Sequence, residues 1–298
     1  MESSGPEPRR RPLRLALIGG VAVVVLAAVA GAVVLARGDD SPTEEAPCAA
    51  LPSTPPPGVD APGGQAPGGG GLRVVESGFT PVAGNGDDKP YVSLGAVLEN
   101  TSTRVAHRTL VSFRPVDGRD APVATPGNLL TQQIPVILPG QRVVVGGATY
   151  LLEDAAGRPA TVARFHLDLG STRWVTRDDG DLMFAELTAR HQRTERFAEA
   201  TDTGTVHYTV DSGYCRQISS HGVGVVFRNS AGVIVGGSFQ TGGSVRCRPG
   251  TSEESVDPMM GIPPEIDDSR TEAYPYCDPV PGGAVDPTAS GAPVNYGR

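Results

Sequence analysis

From Leu15 to Ala36 the chain runs 22 residues without a charged side chain, directly after the basic stretch that holds Arg9, Arg10, Arg11 and Arg14. As a helix rising about 1.5 Å per residue this run is about 33 Å long, enough to cross a hydrocarbon core of about 30 Å. The basic flank before it, against Arg37-Gly38-Asp39-Asp40 after it, predicts a cytoplasmic tail over 1–14, a single-pass transmembrane helix over 15–36 and an extracellular remainder. A cleaved signal peptide is the alternative, since Ala28 and Ala30 suit signal peptidase, although such apolar cores usually run about 7 to 15 residues.

Charge then divides by compartment. Residues 1–37 carry five Arg and two Glu, a net +3, so the chain total of −8 leaves −11 for the exterior part. An acidic ectodomain repels phosphate backbones, which argues against a nucleic-acid partner. Lys89 is the only lysine, a high-GC coding habit of the actinobacterial kind.

Residues 37–71 read as a disordered Pro/Gly stalk. From Gly38 to Gly71 there are eight Pro, eight Gly and no aromatic residue, too little apolar area to offset the entropy of ordering. Past Leu72 the pattern turns to β. Segments such as "LRVVESGFT", "YVSLGAVLEN", "RTLVSFRPV" and "QRVVVGGATYLL" are rich in Val, Leu and Thr, and the turn signals "NTST", "VDGR" and "LPGQ" separate them. Strands at that spacing without intervening helices predict an all-β chain of immunoglobulin-like antiparallel sandwiches.

Two such sandwiches in tandem are expected, over 72–175 and 183–278, with a loose tail over 279–298. "VSFRPVDG" and "VVFRNSAG" spell Phe-Arg-x-x-x-Gly twice, at Phe113 to Gly118 and at Phe227 to Gly232. Read as one hairpin repeated, each copy has a core Phe, a surface Arg and a glycine whose positive φ closes the turn.

"FRPVDG" resembles the FxLYD motif of small extracytoplasmic β-domains in bacterial surface proteins: Phe113 and Asp117 match, while Pro115 and Val116 replace Leu and Tyr. Gly95 and Asn100 of "LGAVLENTS" are similar to that family's G-x-V-x-N strand. The resemblance covers about residues 72 to 170, and more weakly 183 to 278. It implies a β-sandwich with no assigned reaction and carries over no catalytic residue.

Four cysteines, Cys48, Cys215, Cys247 and Cys277, are an even number in an oxidising compartment. With regular strands Cys215 falls at one end of the second sandwich and Cys247 and Cys277 at the other. Cys247–Cys277 is therefore the favoured pair, leaving Cys48–Cys215. No two cysteines or histidines stand at metal-ligand spacing, and no cofactor is expected.

Catalytic motifs are excluded one by one. "DTG" at Asp202 and "DSG" at Asp211 are too close along one chain segment to meet as an aspartic dyad. His107, His166, His191, His207 and His221 are scattered over strand positions, where packed or solvent-facing roles suffice. "RDDGD", Arg177 to Asp181, reads as a hydrated hinge, with a weak calcium site as the alternative. Asn100-Thr101-Ser102 is a glycosylation sequon that a bacterial cell leaves bare. The expected function is non-enzymatic: an anchored module that binds or presents an unknown protein or glycan of the envelope. An assembly subunit of an envelope complex, or a hydrolase with no local motif, are the alternatives.

Overall fold

A computed structural model describes residues 57–84, 89–124, 130–177, 184–197, 200–241, 247–258 and 262–280. The expected cytoplasmic tail, the apolar run from Leu15 to Ala36, Cys48, the carboxylates Asp178 to Asp181 and the tail from 281 on lie outside the described residues. Among the described residues no helix is long and apolar enough to cross a membrane.

The described residues are nearly all β, as expected. In order the strands are β1 (Gly58–Ala61), β2 (Leu72–Val82), β3 (Tyr91–Asn100), β4 (Val105–Val116), β5 (Thr131–Ile137), β6 (Arg142–Tyr150), β7 (Arg164–Leu169) and β8 (Thr172–Val175). Then come β9 (Leu187–Phe197), β10 (Ala200–Ser212), β11 (Ser219–Arg228), β12 (Ile234–Gln240), β13 (Gly250–Val256) and β14 (Glu272–Asp278). They form four antiparallel sheets: β1-β8-β4-β5 with β7 also on β4, β2-β3-β6, β12-β11-β14, and β13-β10-β9. Among the described residues no ladder or bridge pairs a strand before Val175 with one after it.

The sheets pack face to face in that order. Val92, Leu94, Ala96 and Leu98 of β3 meet Phe113, Ile134 and Trp174 of the first sheet in one core, while Tyr208 and Val210 of β10 meet Val223, Val225 and Phe227 of β11 in another. Between the two cores the second and third sheets pack directly, through Val97 and Val144 against Val226 and Ile234. This is why β3 and β6 read as continuous Val/Gly/Ala runs: both their faces are covered.

Glycine sets the spacing of that middle interface. A Cβ on Gly78, Gly95 or Gly146 would collide with main-chain atoms of Ile234, Gly236 and Val225 respectively. On the opposing strand, a Cβ on Gly237 would lie 2.5 Å from the Leu94 carbonyl and 2.8 Å from Gly146 Cα. With the backbones this close, Ser93 Oγ donates to the Gly237 carbonyl at 3.0 Å and accepts from the Gly237 N–H at 2.9 Å.

Three sequence expectations are corrected. The stalk does not extend to Gly71: Gly58–Ala61 pairs with Thr172–Val175 as β1, and Gly71 accepts from Thr101 at 2.8 Å. The apolar content of this stretch is poor, and the main-chain bonds of a neighbouring strand order it instead. Second, the Phe-Arg turns are not one hairpin repeated with equivalent glycines. Asp117 accepts from the N–H groups of Arg119 and Ala121, and Asn229 from those of Ala231 and Val233, with positive φ at Asp120 (70°) and Gly232 (81°). The turns therefore align on Asp117 and Asn229; Gly118 has no positive φ, and its counterpart is Ser230. The same turn occurs a third time at Asp154, with Gly157 at φ 73°, so it is a general short-loop solution rather than a repeat signature. Third, Arg114 is exposed as expected, but Arg228 is half-buried and bridges Glu76 and Glu272.

Cys247 and Cys277 are bonded, with Cα atoms 5.9 Å apart. The supporting geometry was different from the expected one: Ile218, three residues beyond Cys215, bridges to Cys247, so Cys215 is not at the far end of the sandwich. None of the described cysteines is free.

Candidate functional site

Three strands stand at sheet edges on one side of the body. They are β6, β9 and β14, each hydrogen-bonded to a neighbour along one side only. An unpaired edge presents alternate N–H and C=O groups outward. On β6 those of even-numbered residues point out, since the Val144 carbonyl accepts from Tyr276 Oη at 3.1 Å and the Gly146 carbonyl accepts from Gln132 Nε2. Gln132 Oε1 lies 3.0 Å from the same phenol and shares its single proton with the Val144 carbonyl, so a buried phenol and amide close most of this edge.

The closure ends at Arg142. From there a groove of about 520 Å3 opens between the starts of the three edge strands, walled by Arg142 and Val144 of β6, Glu186 to His191 at β9, and Thr271 to Tyr274 at β14. Gln141 sits at one end, its Nε2 donating to the Leu187 carbonyl at 3.3 Å and to Tyr274 Oη at 3.0 Å. At the other end the hydroxyls of Thr194 and Thr271 meet at 3.4 Å.

The Leu187 bond fixes the parity of β9. Glu186 accepts from the Gly213 N–H at 3.2 Å on the paired side, so Leu187, Ala189 and His191 turn their main-chain groups toward the groove. On β14 the same parity holds for Ala273, two residues from Pro275, which has no N–H to give to β11 and is tolerated at an edge. Among the described residues β9 and β14 are not paired with each other.

Charge on the rim is unevenly neutralised. Arg142 is 56% exposed and reaches Glu99 at 3.4 Å, and Arg190 is 76% exposed and reaches Asp211 at 3.5 Å. Glu272 is already engaged by Arg228. Burial pushes the His191 imidazole below its ordinary range, leaving it neutral near pH 7.

A second constellation is buried. Asp278 on β14 lies 3.5 Å from His107 Nε2, 3.0 Å from Arg108 Nε and 3.7 Å from His221 Nε2. His107 and Asp278 are each 1% exposed in their side chains, and Phe184 covers the His107 ring with centroids 5.7 Å apart. Burial raises the Asp278 carboxyl, but His107, the Val280 N–H and Arg108 outweigh it and hold it below the usual carboxylate range. Burial pushes His221 down, against the pull of Asp278. Arg108 sits at φ 53°, a costly conformation for a non-glycine residue. The cluster joins β4 to β11 and β14, with the His107 and Asp278 side chains buried and Arg108 reaching the surface.

The predicted site residues distribute as follows. Phe113 and Phe227 lie in the two main cores. Asp202 and Asp211 share β10, and Asp211 bonds Thr251. The sequon Asn100 is fully buried, its Nδ2 donating to the carbonyls of Arg104 and Ile137 at 2.8 Å each, so it is closed to glycosylation. Among the described residues no group of three His, Cys, Asp or Glu is placed to hold a metal ion. Sequence reasoning missed the Asp278 junction, whose members are separated by up to 171 residues, and it missed the groove, whose walls are ordinary strand starts.

No family model matches the chain. No curated protein matches it either.

Proposed function

We propose that this chain is a single-pass, membrane-anchored extracytoplasmic module whose β-body, read as two immunoglobulin-like sandwiches of the FxLYD kind, binds a partner in the envelope without chemistry of its own. The observation that carries the reading is the groove at β6, β9 and β14: main-chain donors and acceptors of three strands open there, between two exposed arginines. Strand pairing that does not cross the connection after Val175 supports two sandwiches. Burial of the Asp278 cluster beneath Phe184 supports binding over catalysis. The uncharged run from Leu15 to Ala36 supports the anchor.

Photo-crosslinking from position 190 in cells tests this, with the full chain carrying the crosslinker in place of Arg190. Adducts to an envelope component, lost when Arg142 is changed to Glu, are the expected result. A body protected from added protease in intact cells, or adducts indifferent to Arg142→Glu, would overturn it.

A further inference from the structure

The groove offers an unusual combination. Along β9 the outward main-chain groups of Leu187, Ala189 and His191 are spaced two residues apart, over four steps of about 3.3 Å, or about 13 Å. That length takes an extended peptide of about four to five residues. The side chains around the middle of the groove are small: Thr188 and Ala189 on one wall, Thr271 and Ala273 on the other. Small side chains let a guest backbone come within hydrogen-bond distance of an edge, as a bulky wall would not. β6 shows what a covered edge looks like in this protein, its carbonyls being taken by Tyr276 and Gln132. β9 has one such cover, Gln141 on the Leu187 carbonyl, and among the described residues none is found at Ala189.

Charge selects the guest. Arg142 and Arg190 flank the groove from opposite walls, largely solvent-exposed and held by their own carboxylates only at 3.4 and 3.5 Å. Each has guanidinium donors left for a further acceptor. Two acids also line the groove: Glu272, which shares Arg228 with Glu76, and Glu186 at the foot of β9, so an acidic guest is favoured only where its carboxylates reach Arg142 and Arg190.

We propose that the groove binds an extended, acidic peptide segment of another protein, added as a strand to the open edge of β9, with its acidic side chains reaching Arg142 and Arg190. The main-chain bonds would supply affinity and the two arginines selectivity. The inference rests on the reading of this groove as the binding surface.

The test uses the full chain in detergent micelles and a fluorescein-labelled blocked pentapeptide, Val-Asp-Val-Asp-Val. Two comparison peptides carry either N-methyl groups on alternate amides or Lys in place of Asp. The acidic peptide is expected to bind about tenfold more tightly than either. Ala189→Pro removes only an N–H that faces the groove, a substitution an edge strand tolerates, and should lower affinity about tenfold while Trp174 emission stays unchanged. Should that variant unfold, amide exchange in the parent chain decides: the peptide should slow Ala189 about tenfold and leave Thr188, bonded to β10, as it was.

Equal binding of all three peptides, or no binding below about 1 mM, overturns the proposal. So does a tenfold gain of peptide affinity on removing residues 281–298, because the groove's occupant is then the chain's own tail. If Arg142→Glu abolishes cellular crosslinks while N-methylation of the peptide has no effect, strand addition falls and the groove stands. If neither matters, both fall.

Discussion

Gly237→Ala should be the most informative single change in the protein. Its Cβ would sit 2.5 Å from the Leu94 carbonyl oxygen, 2.6 Å from that of Val225 and 2.8 Å from Gly146 Cα, all main-chain atoms that cannot swing aside. An ordinary contact begins near 3.4 Å, so the second and third sheets must part locally by about 0.9 Å. A gap of that size forfeits about a quarter to a half of the dispersion energy of the atoms lining it. It also stretches the two Ser93 hydrogen bonds to Gly237, each of which contributes about 1 kcal/mol. Overpacking a close-fitting interface costs about 1 to 3 kcal/mol, and the stiffer unfolded chain of the alanine variant returns about 0.4 to 1 kcal/mol. The net loss should be about 2 to 4 kcal/mol. Urea unfolding followed through the single tryptophan, the fully buried Trp174, reads it. Gly118→Ala is the control, for a Cβ there meets nothing within 4 Å and needs no unusual φ. If Gly237→Ala unfolds within about 0.5 kcal/mol of its parent, as an ordinary surface change would, the two sheets do not sit at this separation and the account of the middle interface is wrong.

Tyr276→Phe leaves the Val144 carbonyl and Gln132 Oε1 without their buried donor and should cost about 1 to 3 kcal/mol in the same assay; a neutral result would mean that water replaces the phenol. Replacing both Cys247 and Cys277 by Ser frees a loop of 30 residues and should cost about 3 to 4 kcal/mol, read as a lower urea midpoint. Acid should weaken the fold in two steps. His221 is held neutral below its ordinary value of 6.5, so the unfolded chain takes up its proton first and stability falls from about pH 6.5 downward, with His191 adding to the same window. Asp278 is held ionised below its ordinary 3.8, so its contribution is present above that pH and goes as pH falls further. In His221→Gln the slope of stability against pH between 6.5 and 5 should shrink, and an unchanged slope would mean that the histidine is not buried as described.

The strand runs over 72–116 and 142–150 were legible because alternation and turn chemistry act locally, and Tyr91–Asn100 has the bounds the sequence suggests. Phe113 and Phe227 were legible as core because a large aromatic in a Val-rich strand has few other places to go. β9 and β10 were harder: strings such as "ARHQRTERF" carry Arg and Thr on a face that stays in water, so the apolar half of the alternation is thin. β1 was invisible because Gly58–Ala61 has no propensity of its own and is ordered by β8. The middle interface did leave a trace. Val143-Val144-Val145-Gly146-Gly147 and Val233-Ile234-Val235-Gly236-Gly237 spell the same valine run and glycine pair, and a Cβ on Gly237 meets Gly146. Paired glycines inside two strands mark a close backbone approach better than the Phe-Arg turns mark a duplication.

The groove and the interface are one problem physically. Its β6 wall comes from the chain before Val175, while its β9 and β14 walls come from the chain after it. Among the described residues no strand ladder spans that division; what holds the walls in place is the glycine-lined packing, the Arg228 bridge between Glu76 and Glu272, and the buried Asp278 pairing with His107 and Arg108. Arg142 and Arg190 are therefore set across the groove from each other by contacts that, apart from Glu272, lie outside its walls. A chain whose sheets part at Gly237 keeps every groove residue and loses their mutual placement. It follows that Gly237→Ala should weaken binding of the acidic peptide in the fluorescence assay although position 237 is not among the residues that line the groove, and unchanged affinity in a variant destabilised as above would show that the groove does not depend on the middle interface.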